Sequence, residues 1–197
     1  MAEVLRLFVS ATHDLEAERA TIGRALARLP VQTRIEIRRT AAAGAPLEEM
    51  HEQIANVDRF YFLMGEDISA PAGAEWHLAW KLERSVLALR RGTRATPAAQ
   101  QFLHMIPVRF VSFATSAAAA RIVALDVANI LLHPANRYGL TVREIEQVTY
   151  HADQLRKQTP RQAVGLAAEA GGAEGGGVLL DSGRYEPIQG VALDEEG

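Results

Sequence analysis

Apolar and polar positions along this chain follow two different periods, and the switches between them predict its elements. Residues 4–9 (VLRLFV) have few polar interruptions, as in a strand covered on both faces. Leu15, Ile22, Leu26 and Leu29 then recur at helical spacing, with Asp14 as the expected N-cap, Glu16 and Glu18 in the first turn and Pro30 as the stop. VQTRIEIRR (31–39) alternates strictly, which predicts a strand with one wet face at a sheet edge. After the loop TAAAGA (40–45), Pro46 fits the first turn of a second helix carrying Leu47, Met50, Ile54 and Val57 on one side. RFYFLM (59–64) predicts another buried strand, broken by Gly65, and GEDISAPAGA (65–74) a loop of turn formers. Residues 75–91 read as one long helix, apolar around much of its circumference, and residues 92–101 as a basic loop or short helix. MIPVRFVSF (105–113) reads as a strand whose Pro107 marks its start or an edge. Residues 116–133 form an alanine-rich helix, and Thr141 to Glu144 a capping box ahead of Ile145, Val148, Ala152 and Leu155 in helical register.

Strand and helix in alternation mean parallel strands joined by right-handed crossovers. With the alternating strand at an edge, the order is 2-1-3-4, with room for a fifth strand: a flavodoxin-like α/β sheet flanked by helices. In such sheets ligands sit beyond the carboxyl ends of strands 1 and 3, where the winding reverses. Ser10–Asp14 is therefore expected beside Gly65–Ala74 and Glu75. The domain spans residues 1–158, followed by a Gly/Ala-rich linker at 159–177 and an acidic peptide at 178–197.

Composition narrows the function classes. There is no cysteine, which removes disulfides, thiolate metal sites and cysteine nucleophiles and fits a reducing, cytoplasmic setting. The net charge of −3 gives no general attraction for nucleic acid. No run of 18 apolar residues predicts a membrane span, and MAEVLRLFVS lacks the pattern of a signal peptide. Residues 1–160 hold 19 Lys+Arg and 17 Asp+Glu, whereas residues 178–197 hold one Arg and five acids. The peptide VLLDSGRYEPIQGVAL reads either as a docking strand for a partner's sheet edge or as an unstructured tail.

VSATHDLEAER (9–19) resembles the SSPGDVxxER signature of a bacterial domain of unknown function related to TIR domains and nucleoside 2-deoxyribosyltransferases, with Ser10, Asp14, Glu18 and Arg19 in register. IANVDRFYFLMGEDISAPAGAEWHLAW resembles that family's strand, Gly-containing loop and SGTExE helix start. The resemblance covers about residues 4–115. Glu66-Asp67-Ile68 stand where relatives carry Arg-aromatic-Gly, Thr12-His13 replace Pro-Gly, and Ala74 replaces a threonine. The family resemblance implies a TIR-like signalling or interaction module of a bacterial defence system that binds a nucleotide. The alternative it implies is an enzyme cleaving the N-glycosidic bond of NAD or a nucleoside, with Glu75 as the catalytic carboxylate.

Each candidate has a structural reading beside its functional one. Glu75 either steadies oxocarbenium character at an anomeric carbon, kept ionised by a helix N-terminus, or is a first-turn acid. Ser10 and Thr12 bind phosphate or ribose, or make turn and cap bonds. Asp14 is a ligand contact or a cap, and His13 a ligand contact, a general base or an exposed loop residue. Glu66 and Asp67 hold ribose hydroxyls or a cation, or form a solvated turn. Trp76, with Trp80 one turn on, stacks a base at a site mouth or packs in the core. The arginines at 84, 90, 91 and 94 attract phosphates or solvate a helix end. His51-Glu52 lacks the second histidine of a zincin motif, and the glycines of 171–177 have neither the strand nor the helix of a phosphate loop. No metal site is expected, and NAD or another nucleotide is the candidate ligand. Protein partners are expected at the 178–197 tail and the 75–91 helix, with self-association as an alternative.

Overall fold

A computed structural model describes residues 4–31, 35–40, 44–68, 70–92, 94–135 and 137–158. The expected linker at 159–177 and peptide at 178–197 lie outside the described residues. In chain order the elements are β1 (Leu5–Ala11), a 3-10 turn (His13–Leu15), α1 (Glu16–Leu26), β2 (Ile35–Arg38), α2 (Leu47–Ala55), β3 (Arg59–Met64) and α3 (Ala70–Lys81). They continue as β4 (Val86–Arg91), α4 (Pro97–Met105), β5 (Phe110–Phe113), α5 (Ser116–Leu132) and α6 (Val142–Lys157). The five strands form one parallel sheet in the order β2-β1-β3-β4-β5. This is the doubly wound α/β architecture expected from the pattern, with the alternating strand at one edge.

Strand parity sorts the core into two layers. Leu5, Leu7, Val9, Tyr61, Leu63 and Leu89 pack with Leu15 of the 3-10 turn, with Ile22 and Leu26 of α1 and with Val123, Val127 and Leu131 of α5. On the opposite face Phe8, Phe60, Phe62 and Met64 meet Met50 and Ile54 of α2, Trp76 and Ala79 of α3 and Ala99 of α4. Complete burial of a Leu, Val or Phe side chain contributes about 1.5–3 kcal/mol. Several such side chains on each face hold the strand ends in register. α6 covers α5 through Val148 and Ala152 against Ala128, and its first turn is the expected capping box of Thr141 and Glu144.

One polar network crosses the amino-terminal side of the sheet. Asp126 of α5 accepts from Arg59 Nε at 2.9 Å, from Arg59 Nη2 at 3.0 Å and from the Tyr61 hydroxyl at 2.9 Å. Burial, followed by the charge and hydrogen bond of Asp126, raises the Tyr61 pKa well above its ordinary value.

The chain departs from the sequence pattern between residues 75 and 113. The expected long helix 75–91 is two elements: α3 ends at Lys81, and VLALRR forms the interior strand β4. The stop is a Schellman motif, with Arg84 N–H donating to the Ala79 carbonyl at 2.9 Å and Glu83 N–H to the Trp80 carbonyl at 3.0 Å. Glu83 takes the left-handed conformation, φ 52°, a position glycine usually fills. With no glycine to mark the end of α3, the apolar run that follows suits helix and strand alike. The expected 75–91 helix is therefore divided between α3, whose Trp80 stays half-exposed, and β4. α3 also begins at Ala70, so Glu75 lies in its second turn and not at its start. The expected strand 105–113 is strand only at 110–113; Thr96 caps the preceding helix by accepting from Ala99 N–H, with Pro97 at its first position. The expected fourth strand is thus the fifth.

Candidate functional site

The carboxyl ends of β1, β3 and β4 meet in an open cleft of about 900 Å³. Its floor is Thr12, His13 and Asp14 after β1 and Gly65, Glu66 and Asp67 after β3; its far wall is Arg91, Gly92, Arg94 and Thr96. The two loops are bonded directly. Thr12 N–H donates to the Leu63 carbonyl at 3.0 Å, Gly65 N–H to Thr12 Oγ1 at 3.0 Å and Glu66 N–H to Asp14 Oδ2 at 3.1 Å. The Thr12 hydroxyl donates to Asp14 Oδ1 at 2.6 Å. Asp14 is therefore not the expected helix cap; its carboxylate ties one loop to the other. Gly65 makes that possible, because a Cβ there would lie 2.5 Å from Asp14 Oδ1 and closer still to Oδ2.

The acids of the cleft are largely committed to the protein. Asp67 accepts from the Thr96 hydroxyl and from Ile68 N–H, and these bonds, in that order, hold its pKa below the ordinary aspartate value. Arg91 donates to Glu18 Oε1 at 2.8 Å, and the Ser116 hydroxyl donates to the same oxygen at 2.9 Å. Glu18 stands in the first turn of α1, as expected, and is also a buried clamp between α1, the end of β4 and the start of α5.

The strongest expectation concerned Ser10 and Glu75, which approach across the fold. Ser10, in β1, pairs with Phe62 of β3 and is fully buried; its hydroxyl donates to Glu75 Oε2 at 2.5 Å. Glu75 is 2% exposed. Thr40, two residues past β2, is also 2% exposed and lies beside the Glu75 carboxylate, and Arg19 of α1 acts on its charge. Burial raises the Glu75 pKa above the ordinary glutamate value; the hydrogen-bonding hydroxyls of Ser10 and Thr40 and the Arg19 charge oppose that rise. The expected reason for ionisation is thus corrected: two hydroxyls and a guanidinium favour the anion, not the start of a helix. Among the described residues no group of three or more His, Asp or Glu side chains is arranged to hold a metal.

The expected site residues therefore fall into three places. Ser10 and Glu75 share a buried polar cluster; Thr12, His13, Asp14, Glu66 and Asp67 line the open cleft, and Glu75 lies outside that lining. Trp76 joins neither. It packs against Phe62 (centroids 4.8 Å apart), Phe102 and Phe110, with Trp80 stacked at 6.3 Å. Its outer side borders an apolar hollow of about 570 Å³ with His77, Trp80, Met105 and Ile106. Thr40 and Arg19 were missed as site residues: Thr40 looked like the first residue of a loop, and Arg19 was marked only by its place in the resembled signature.

A comparison with protein-family models finds no match, and neither does a comparison with curated proteins. Among solved structures the chain is similar to a Clostridium botulinum CMP N-glycosidase, BcmB, with a TM-score of 0.43 and 15% identity over 62% of this chain and 98% of that one. No helix among the described residues is long and apolar enough to cross a membrane.

Proposed function

We propose that this chain cleaves the N-glycosidic bond of a nucleoside or of NAD, with Glu75 as the carboxylate that meets the anomeric carbon. One observation carries the reading: a buried, hydrogen-bonded carboxylate sits by the carboxyl ends of parallel strands, where α/β sheets bind ligands. A carboxylate stripped of water interacts strongly with an oxocarbenium-like sugar. Ser10 holds Oε2, which leaves Oε1 to approach carbon. As Oε1 bonds to the anomeric carbon, the carbon–nitrogen bond breaks and its electron pair leaves with the base; from NAD, nicotinamide departs neutral, and from a neutral nucleoside the departing base anion takes a proton from water. Water then hydrolyses the glycosyl ester and frees Glu75. The resemblance of VSATHDLEAER to a signature related to deoxyribosyltransferases and TIR domains points the same way.

The test is chromatographic detection of free base after incubation with NAD, nucleosides and deoxynucleosides, comparing the unsubstituted chain with Glu75→Gln. The reading expects release that the substitution abolishes, and release that falls as pH drops through the raised Glu75 pKa. Release that survives the substitution refutes it. A second reading, a TIR-like interaction module that binds a nucleotide without turning it over, is favoured by the near-complete occlusion of Glu75 and its place outside the cleft lining. Nucleotide binding with no base released selects that reading.

A further inference from the structure

Both tryptophans of the chain line the apolar hollow of about 570 Å³ beside α3 and α4. Phe110, Trp76 and Trp80 form a near-parallel series. The Phe110 and Trp76 centroids are 6.5 Å apart at 22°, and those of Trp76 and Trp80 are 6.3 Å apart at 15°. Both are offset-stacked geometries. Trp76 is 5% exposed and Trp80 is 51% exposed. Trp80 has no ring partner but Trp76 among the described residues, so half of a large indole is left in water above a hollow. That exposure forgoes apolar burial that a stacked ring would recover.

The hollow has the size and lining of a small-molecule site: such pockets run from about 300 to 1,000 Å³, mostly apolar with few polar groups. Its nine lining residues include no Lys, Arg, Asp or Glu, and His77 is its one titratable side chain. It shares no lining residue with the cleft. The loop after β3 stands between them, with Asp67 in the cleft wall and Ile68 in the hollow.

The chemistry of the lining defines what fits. A cation is drawn to a tryptophan face, but no carboxylate in the lining would replace the water it gives up. An anion meets only an imidazole and the negative faces of rings. A neutral ring leaves water at little cost and stacks. A bicyclic ring overlaps the Trp80 indole most fully, and a ring nitrogen with a lone pair accepts a hydrogen bond from the His77 imidazole. Met105, 66% exposed, supplies an adaptable thioether wall.

We infer that this hollow is a second ligand site, separate from the cleft, for a neutral, planar, bicyclic nitrogen heteroaromatic molecule stacked on Trp80. The inference goes beyond the cleavage chemistry and stands whether or not Glu75 acts on a sugar.

Proton–nitrogen correlation spectra of the full chain test it, because the two indole N–H signals of the protein both come from the hollow. Titration with quinoline or adenine at neutral pH should move both signals to saturation, with a Kd of about 1 mM or tighter. N-methylquinolinium and naphthoate, charged bicyclic counterparts, should bind about fivefold more weakly or worse. N-acetyltryptophanamide, standing for a partner protein's side chain, lacks the acceptor nitrogen and should also bind more weakly than quinoline. Trp80→Ala should weaken quinoline binding about fivefold or more, and Trp80→Phe should keep most of it. Gly73→Leu should fill the hollow and block binding; a Cβ at Gly73 meets nothing nearer than Ile68 Cγ1 at 3.5 Å, so the helix can carry it. Arg94→Ala, in the cleft wall, should leave the Kd within about twofold. Thermal melts confirm that each variant is folded. No saturable shift up to about 10 mM, charged probes that bind as tightly as quinoline, or a Kd untouched by both Trp80→Ala and Gly73→Leu overturns the inference. Tighter binding of N-acetyltryptophanamide than of quinoline also overturns it, and makes the hollow a protein-docking face.

Discussion

Gly65→Ala is the most direct test of how the cleft floor is built. The new Cβ would fall inside the Asp14 carboxylate, 2.5 Å from Oδ1 and nearer to Oδ2, so the carboxylate must swing away. Asp14 is an exposed, movable side chain, so the cost is the bonds it gives up and not a backbone clash. Those are the Thr12 hydroxyl bond at 2.6 Å and the Glu66 N–H bond at 3.1 Å. Hydrogen bonds to a charged group contribute about 1.5–3 kcal/mol when well protected, and about 1 kcal/mol each is appropriate at this exposed edge. Alanine returns about 0.4–1 kcal/mol by restricting the unfolded chain. The net is a loss of about 1–2 kcal/mol, or a Tm lower by about 3–6 °C for a domain of this size. Gly23→Ala is the internal control: it lies in α1 with nothing within 4 Å of its would-be Cβ, and should gain about 0.5–1 kcal/mol. The mechanism also predicts coupling, because once Asp14→Ala has emptied the space, Gly65→Ala costs almost nothing. Thermal melts of the four combinations and the control decide it. A Gly65→Ala protein that melts at or above the parent, or one equally damaged in both backgrounds, refutes the account.

Three other substitutions probe separate features. Glu75 has a folded-state pKa above its unfolded value, so its contribution to stability is fully present below the ordinary 4.5 and is lost as pH rises through the folded pKa. The Tm of Glu75→Gln relative to the parent should therefore climb between about pH 4 and pH 7, and a flat difference would show that burial imposes no such penalty. Glu83→Gly relieves the left-handed residue that ends α3 and should raise stability by about 0.5–1 kcal/mol in urea titrations; destabilisation would contradict the Schellman assignment. Asp126→Ala strands the partly buried Arg59 and the buried Tyr61 hydroxyl and should cost about 2–4 kcal/mol in the same titrations, while a cost near zero would mark the network as dispensable.

The sheet order was legible because it follows from patterns within single elements: the uninterrupted VLRLFV and RFYFLM runs and the alternation around Ile35 and Ile37. The approach of Ser10 to Glu75 followed from that order alone, without knowledge of any side-chain contact. The fourth strand was not legible because Glu83 occupies a left-handed position without the usual glycine, so VLALRR carried no boundary signal. Asp14 looked like a cap because its partners, Glu66 N–H and the Gly65 gap, lie some fifty residues away and leave no local trace. Thr40 and Arg19 were hidden for the same reason. A buried hydroxyl and a surface threonine are the same letter, and only the third dimension distinguishes them.

The Glu18 clamp bears on how the chain assembles as it is synthesised. One carboxylate joins α1 to the Ser116 hydroxyl, 98 positions later, and the apolar side of α1 rests on α5 around Val123 and Val127. The first helix to emerge therefore waits, with Ile22 and Leu26 uncovered, until most of the domain has been translated. Only then can Glu18 capture Arg91 and Ser116 together, so a nascent chain halted before α5 lacks the Ser116 half of that clamp.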